Sequence, residues 1–272
     1  LINSAGRMSD ANVSFEFLYT RSFEKAFKLL EQIIAFNDKR KSEEKKLFEA
    51  SLSQISADDK VVVVSGKGWH EGVLGIVASR LARHFGKPAF VFSEFEDKAK
   101  GSGRSVGQID IIELCETQKE LFLSYGGHKG AGGMLIELEN LSTLKANLNE
   151  QCAQIPSEKF ISNDEILGIL PLKSVDFDLL LMLDFFEPFG HKNPRPLFEF
   201  KNVRVKSAKT LGKEGRHLRL VLGDENTTVQ AVFFDFDTEI KSGENISFIA
   251  NVDKNEFFGT PTPQLIIKNL TL

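Results

Sequence analysis

The chain has 272 residues, 42% of them hydrophobic and 26% charged, with a formal net charge of −4. That is more chain than one ordinary core uses, so two domains are expected. The balance argues against coating nucleic acid by bulk charge while leaving room for a local basic groove, and no apolar run approaches the roughly 18 to 20 residues of a membrane helix.

Cys115 and Cys152 have no metal-binding or redox spacing, and no secretory leader pattern opens the chain. A reducing, cytoplasmic setting is therefore expected. The opening Leu1-Ile2-Asn3-Ser4-Ala5-Gly6-Arg7 reads as the interior of a longer protein. The chain is accordingly expected to be a piece whose N-terminal part is missing.

Residues 11 to 55 contain no Gly or Pro, and Phe15, Leu18, Phe23, Phe27, Leu30 and Ile34 recur at helical spacing. One long connecting helix is expected, with the charge-dense segment 37–46 as a solvated face. Val61 to Val64 is a β-branched run suited to a central strand. A helix follows from Val73 to Phe85, closed by Gly86-Lys87-Pro88, and Ala89 to Phe92 forms the next strand. Strand, helix, strand at this spacing is an α/β crossover. Further on, a helix over 109–123, a strand over 134–138 and a helix over 141–154 complete a compact α/β unit.

Ile155-Pro156-Ser157 opens a linker, in which residues 179–186 form an apolar helix. Beyond it, short alternating strands at 197–206, 217–222, 228–234, 245–252 and 264–270 suggest a small barrel.

Two segments carry the chemistry. Tyr125-Gly126-Gly127-His128-Lys129-Gly130-Ala131-Gly132-Gly133 holds five glycines among nine residues. As a loop it lets a ligand approach the backbone, with His128 and Lys129 as donors to an anion such as a phosphate. Lys100-Gly101-Ser102-Gly103-Arg104-Ser105 is the second glycine-rich, cationic loop; its guanidinium fork and hydroxyls suit two phosphate oxygens. A lone His without Asp or His at ligand spacing is a poor metal site. Trp69 is expected to pack, and His70 with Glu71 either caps the helix after the first strand or meets a ligand.

In the barrel, Lys201, Arg204, Lys206, Lys209, Lys213, Arg216 and Arg219 are opposed over the same stretch only by Glu199 and Glu214. His217-Leu218-Arg219-Leu220 alternates cation and apolar faces. Basic strands with Phe233, Phe234 and Phe236 nearby suit single-stranded nucleic acid, although charge on a barrel exterior is commonly solvation only.

These residues resemble a known family. Trp69-His70-Glu71-Gly72-Val73-Leu74-Gly75, Gly101-Ser102-Gly103-Arg104-Ser105 and Tyr125-Gly126-Gly127-His128 with Ala131-Gly132-Gly133 are similar to the DHH-associated domain of the DHH phosphoesterases. Residues 183–193 with Pro196-Leu197-Phe198, then His217-Leu218-Arg219-Leu220, resemble the approach to the OB-fold of the RecJ exonucleases, and Ile2 to Met8 resembles their exit from the catalytic domain. The expected architecture is α/β plus β. Residues 1–57 would be the end of the DHH domain and a long connecting helix, 58–155 a compact DHH-associated domain, 156–196 a helical linker and 197–272 an OB-fold-like barrel.

The resemblance implies a 5′-to-3′ exonuclease specific for single-stranded DNA, acting in DNA repair and recombination. It implies Mn2+ or Mg2+ on a DHH domain that this chain lacks, with no catalytic or metal-ligating residue here, so that the chain alone would be inactive. Ser102, Arg104 and Ser105 would hold the 5′ phosphate, and Gly126, Gly127, His128 and Lys129 would contact the scissile end. Arg7, Lys201, Arg204, Lys206, Arg216 and Arg219 would bind nucleic acid. Single-stranded DNA is the implied partner, with a helicase or single-strand-binding protein as further candidates and no membrane. Two departures stand out: no Asp-His-His triplet occurs, and Lys192 replaces a family glycine, which puts the conformation of that turn in question. Two other readings remain open: a phosphodiesterase for short oligonucleotides or cyclic dinucleotides, and a non-catalytic module like that of alanyl-tRNA synthetases.

Overall fold

A computed structural model describes residues 1–161, 165–190, 192–211, 217–234, 236, 239–256 and 261–271. The chain divides into two compact units, Leu1–Asn163 and Asp164–Leu272.

The first unit opens with three helices, α1 (Asn3–Met8), α2 (Asn12–Tyr19) and α3 (Phe23–Leu52). The single helix expected over 11–55 is thus broken once. Thr20 turns extended, its Oγ1 accepts from the Ser22 N–H at 3.2 Å, and the Ser22 hydroxyl then caps α3 by accepting from the Lys25 N–H. Short polar side chains compete for backbone hydrogen bonds in this way, and hydrophobic periodicity does not reveal it.

Next come β1 (Val62–Lys67), α4 (Glu71–Phe85), β2 (Ala89–Phe95), β3 (Lys98–Arg104), α5 (Ile111–Glu116), β4 (Phe122–His128), β5 (Ala131–Glu137) and α6 (Leu141–Ala153). The sheet order is β1-β2-β3-β5-β4; β1 and β2 are parallel and the other pairs antiparallel. Alternation along the strands feeds two cores. Val62, Val64, Ala89 and Val91 pack with Val73, Leu74, Val77 and Leu81 of α4. On the opposite face, Phe90, Phe92, Ala99, Met134 and Ile136 pack with α5 and α6 through Ile111, Leu114, Leu144 and Leu148. Truncating a wholly buried ring such as Phe90 to Ala would cost about 3–5 kcal/mol.

Two expectations fail here. The helix over 109–123 is only α5, capped by Asp110, whose Oδ1 accepts from the Ile112 and Glu113 N–H groups at 2.9 and 3.2 Å. Both glycine-rich loops are in fact strands: Lys100 to Arg104 lies in β3, and Tyr125 to His128 and Ala131 to Gly133 lie in the β4–β5 hairpin. Glycine supplies no apolar signal for alternation, yet it keeps both of its ladder hydrogen-bonding groups. At Gly101 the missing side chain also makes room for a neighbour, since a Cβ there would sit 2.4 Å from the Phe92 ring.

The second unit holds β6 (Ile166–Ile169), α7 (Phe177–Asp184), β7 (Leu197–Leu211), β8 (His217–Gly223), β9 (Thr228–Phe234), β10 (Asn245–Asn255) and β11 (Thr262–Thr271). Strands β7-β8-β9-β11-β10 pair in a ring closed by β10 on β7, an OB-like barrel. Only β9–β11 is parallel within that ring. Phe200 and Phe248 stack at 5.1 Å in its core beside Leu220, Val252 and Leu265. In the stretch read as linker, β6 pairs with β7, and Leu180 and Leu183 of α7 enter the same core. At Lys192 the turn closes through mutual backbone bonds of Gly190 and Asn193, 2.8 and 3.2 Å. The described non-glycine residues with positive φ are Glu96 and Asn202, so Lys192 is accommodated without that strain.

Candidate phosphate and nucleic-acid interface

An open cleft of about 790 Å³ lies where α1, the first turns of α4 and strand β3 converge. Arg7, His70, Glu71, Gly75, Ser102 and Arg104 are among its lining residues. Two glycines of α4 permit this convergence. A Cβ on Gly72 would fall 1.9 Å from the Arg7 carbonyl oxygen, and one on Gly75 would fall 2.5 Å from Nη2 of Arg104.

Arg104 is half-buried, and its Nη1 donates to Oγ of Ser102 at 2.9 Å and to the Gly103 carbonyl at 2.7 Å. Burial lowers its affinity for a proton, and the positive charge of Arg7 lowers it further. Among the described residues, no carboxylate comes within 4 Å of either guanidinium. Two like charges facing one cleft without a counter-ion make a site for an anion. The other charges there cancel, because Lys100 pairs with Glu71 at 2.6 Å. His70 caps α4, its Nδ1 accepting from the Gly72 N–H at 3.1 Å. That acceptor role puts the proton of a neutral imidazole on Nε2. Trp69 packs as expected: a Cβ on Gly66 would meet its ring at 2.4 Å.

Beyond α4 the sheet face carrying Arg104 is open. Register places Arg104 opposite Ala131 and Ala131 opposite His128, while Ser102, Gly133 and Gly126 form the next row. Residues paired across a sheet share a face, so Arg104 and His128 point the same way, two strand spacings or about 10 Å apart. The floor between Ser102 and the edge strand is bare peptide. A Cβ on Gly126 or Gly133 would meet no atom within 4 Å.

The expected site residues therefore divide. Arg7, Ser102 and Arg104 come together in the cleft, whereas Gly126 and His128 stand apart from it on the open face. The His128 Nδ1 accepts from the Gly130 N–H at 3.2 Å, which shapes the hairpin tip. Lys129 sits at that tip, and its carbonyl accepts from the Ile111 N–H at 3.0 Å. Gly127 has φ +151, and a Cβ there would come 2.2 Å from the Ala131 carbonyl, so the hairpin itself requires this glycine. The Ser105 hydroxyl is turned inward and donates to the Ile109 carbonyl.

On the barrel, Lys201 pairs with Glu199 at 3.4 Å, and Lys206 donates to the Asp224 carbonyl at 3.0 Å in the β8–β9 turn. Arg204 is exposed on β7 opposite Asn245. Arg219 lies on the outer face of β8 beside Lys209, its Nη2 donating to Oε1 of Gln230 at 2.8 Å. Arg216 and Lys213 fall outside the described residues.

Gly72 and Gly75 were not among the expected site residues. The two glycines inside an otherwise helical stretch were the available signal, since glycine there costs about 1 kcal/mol unless close packing requires it. Among the described residues, no three His, Cys, Asp or Glu side chains gather to hold a metal ion. They therefore supply no donor set for a divalent cation, and no step through one is assigned to them. No described helix is long and apolar enough to cross a membrane.

The DHHA1 domain model matches residues 58–154 and the RecJ OB domain model residues 168–269. Single-stranded-DNA-specific exonuclease RecJ of Bacillus subtilis is 27% identical over 98% of this chain and 35% of its own length. The Thermus thermophilus RecJ is 30% identical over 80% of this chain and 31% of its own. A crystal structure of RecJ from Thermus thermophilus in complex with Mn2+ matches with TM-score 0.79 and 26% identity, covering all of this chain and 40% of the other. The chain spans about a third of the length of these two curated relatives. With both domain models matched in order and the solved fold superposing throughout, the chain belongs to the RecJ family and carries its DHHA1 and OB domains.

Proposed function

We infer that this chain is the substrate-binding part of a 5′-to-3′ single-stranded-DNA exonuclease of DNA repair and recombination, working in the cytoplasm. One observation carries the reading: the cleft with two guanidiniums, Arg7 and Arg104, and no carboxylate counter-ion among the described residues. A terminal phosphate brings the missing negative charge, and Ser102 beside Arg104 adds a hydroxyl. The bare floor of Gly126 and Gly133 admits the nucleotide attached to that phosphate, with His128 as a donor at its far edge. Ser105, Gly127 and Lys129 hold the β4–β5 hairpin in place, and the barrel cations Lys201, Arg204, Lys206, Arg216 and Arg219 guide the strand.

In this reading residues 1–57 lead out of a DHH catalytic domain, 58–155 form the DHH-associated domain, 156–196 lead into the barrel and 197–272 complete it. Hydrolysis belongs to Mn2+ or Mg2+ held on the DHH domain, which would supply an activated water and stabilise the attacking and leaving oxygens. This chain clamps and orients the end. It binds single-stranded DNA with salt-sensitive affinity, does not cut it alone, and meets a helicase or single-strand-binding protein in the course of the work. The test is a binding titration of the chain with single-stranded DNA, duplex DNA and a cyclic dinucleotide at two salt concentrations, with an Mn2+ digestion assay alongside. Preference for single strands that falls with salt, and no digestion, is expected. Preference for the dinucleotide, or digestion by the chain, would overturn the assignment.

A further inference from the structure

β1 ends the sheet of the first unit and pairs with β2 alone among the described strands. The Val62 N–H donates to the Pro88 carbonyl at 2.8 Å, on the β2 side. Backbone groups alternate in direction along a strand, so those of Val61, Val63 and Ser65 face away from β2, along the free edge. An open edge of this kind is a template for another extended chain. Here two side-chain amides cover its ends. Gln54, just beyond α3, does to Ser65 what a neighbouring strand would do: its Nε2 donates to the Ser65 carbonyl at 2.7 Å, and its Oε1 accepts from the Ser65 N–H at 3.0 Å. At the other end, Oδ1 of Asn149 on α6 accepts from the Lys60 and Val61 N–H groups at 2.6 and 3.4 Å. Lys145 steadies the first amide by donating to the Gln54 carbonyl at 3.0 Å. Between the two lies the Val63 rung, which borders a cavity of about 460 Å³ lined also by Leu138, Leu141 and Lys145.

Gln54 is exposed, and water would satisfy the Ser65 groups in its place, so this amide adds only modestly to stability. What it excludes is a strand. We propose that the free edge of β1 is a strand-pairing surface held closed by Gln54 and Asn149, and that the occupant they exclude is β1 of a second copy of this chain. The sequence of the edge fits that occupant. Val61 to Val64 are four identical β-branched residues, so an antiparallel, two-fold pairing centred on Val63 sets valine against valine. In that pairing Val61 of one copy faces Ser65 of the other, so the two guarded rungs are each other's partners and both amides must leave. Two five-stranded sheets would then run on as one. The inference is independent of the nucleic-acid reading above.

The test compares the full chain with the double variant Gln54→Ala, Asn149→Ala by sedimentation, together with amide hydrogen exchange resolved at single residues. Both substitutions lie outside the buried core, and circular dichroism melts confirm that the variants fold. The unmodified chain should not pair through this edge, and its Val63 amide should exchange faster than those of its ladder-bonded neighbours Val62 and Val64. The double variant should form a concentration-dependent dimer in which the Val63 and Ser65 amides exchange about tenfold more slowly than in the same variant diluted to monomer. Adding Ser65→Pro removes one outward N–H without touching the ladder to β2, and should return the double variant to monomer. A folded double variant that stays monomeric would overturn the proposal, as would a dimer that leaves the Val63 amide unprotected or persists with Ser65→Pro. An unmodified chain that already dimerises with Val63 protected would show the edge open and would end the guarding role of the two amides.

Discussion

The Arg104 guanidinium crosses α4 where that helix has no side chain: a Cβ on Gly75 would stand 2.5 Å from Nη2 and 3.1 Å from the Ser102 hydroxyl. A helix interior gains about 1 kcal/mol from replacing glycine with alanine, so this glycine is kept at a cost in local stability. Gly75→Ala is predicted to displace Arg104 while leaving the fold near its original stability. Affinity for 5′-phosphorylated single-stranded DNA should drop about tenfold, with a melting temperature close to that of the unmodified chain. A variant that binds normally would show that Arg104 does not need this position.

Arg7 and Arg104 face the cleft without a carboxylate, and Arg7 contributes to lowering the Arg104 pKa. Removing one of two repelling charges should not destabilise the folded chain. Arg7→Gln is therefore predicted to keep or slightly raise stability while costing about 1.5–3 kcal/mol of binding, the range for a hydrogen bond to a charged group. Chemical denaturation paired with isothermal titration separates the two effects. Loss of stability without loss of binding would make Arg7 a packing residue.

Gly126 and Gly133 pair across β4 and β5 with nothing above them. Glycine within a strand is weaker than alanine by about 0.5–1 kcal/mol, and no neighbour in the structure makes use of the missing Cβ at either position. Gly133→Val should therefore leave the melting temperature unchanged or raised while blocking the approach of a nucleotide to the floor. Circular dichroism melts and strand binding on the same sample check both halves. A fall in melting temperature would mean that the glycine serves the fold.

Both cysteines are buried in the core shared by the sheet, α5 and α6. Burial pushes the Cys115 thiol up to about 12, with a contribution from Asp110, and the Cys152 thiol up to about 11. The folded chain holds these protons after the unfolded chain has begun to release them near its ordinary value of 9.0. Stability from this source is complete below pH 9 and declines as pH rises toward 11 and 12. Thiol reagent at pH 8 should label neither cysteine until denaturant is added; rapid labelling of the native chain would contradict the packing.

Much of this was legible in the sequence, and the failures share a cause. β1, α4 and β2 were visible because Val61 to Val64 and the α4 stripe are apolar with clear period. The glycine strands β3, β4 and β5 looked like loops, because residues such as Gly101 and Gly133 erase the alternation that marks a strand. α5 and α3 begin at side-chain caps, Asp110 and Ser22, which periodicity does not register. β6 was missed because four residues with Gly168 among them carry too short a pattern, and only pairing with β7 makes them a strand. At the site, Ser102 and Arg104 line one cleft, whereas His128, which the sequence reading grouped with them, does not line it. Register shows that the imidazole shares their face of the sheet while standing two strands away.

The central claim is that Arg104, with Ser102 and Arg7, grips a terminal phosphate. The most direct measurement compares affinity for one single-stranded DNA sequence carrying either a 5′ phosphate or a 5′ hydroxyl, using the unmodified chain and Arg104→Gln. The unmodified chain should prefer the phosphorylated end, and Arg104→Gln should abolish that preference while retaining binding that does not depend on the phosphate. Equal affinity for both ends in the unmodified chain, or a preference that survives Arg104→Gln, would contradict it.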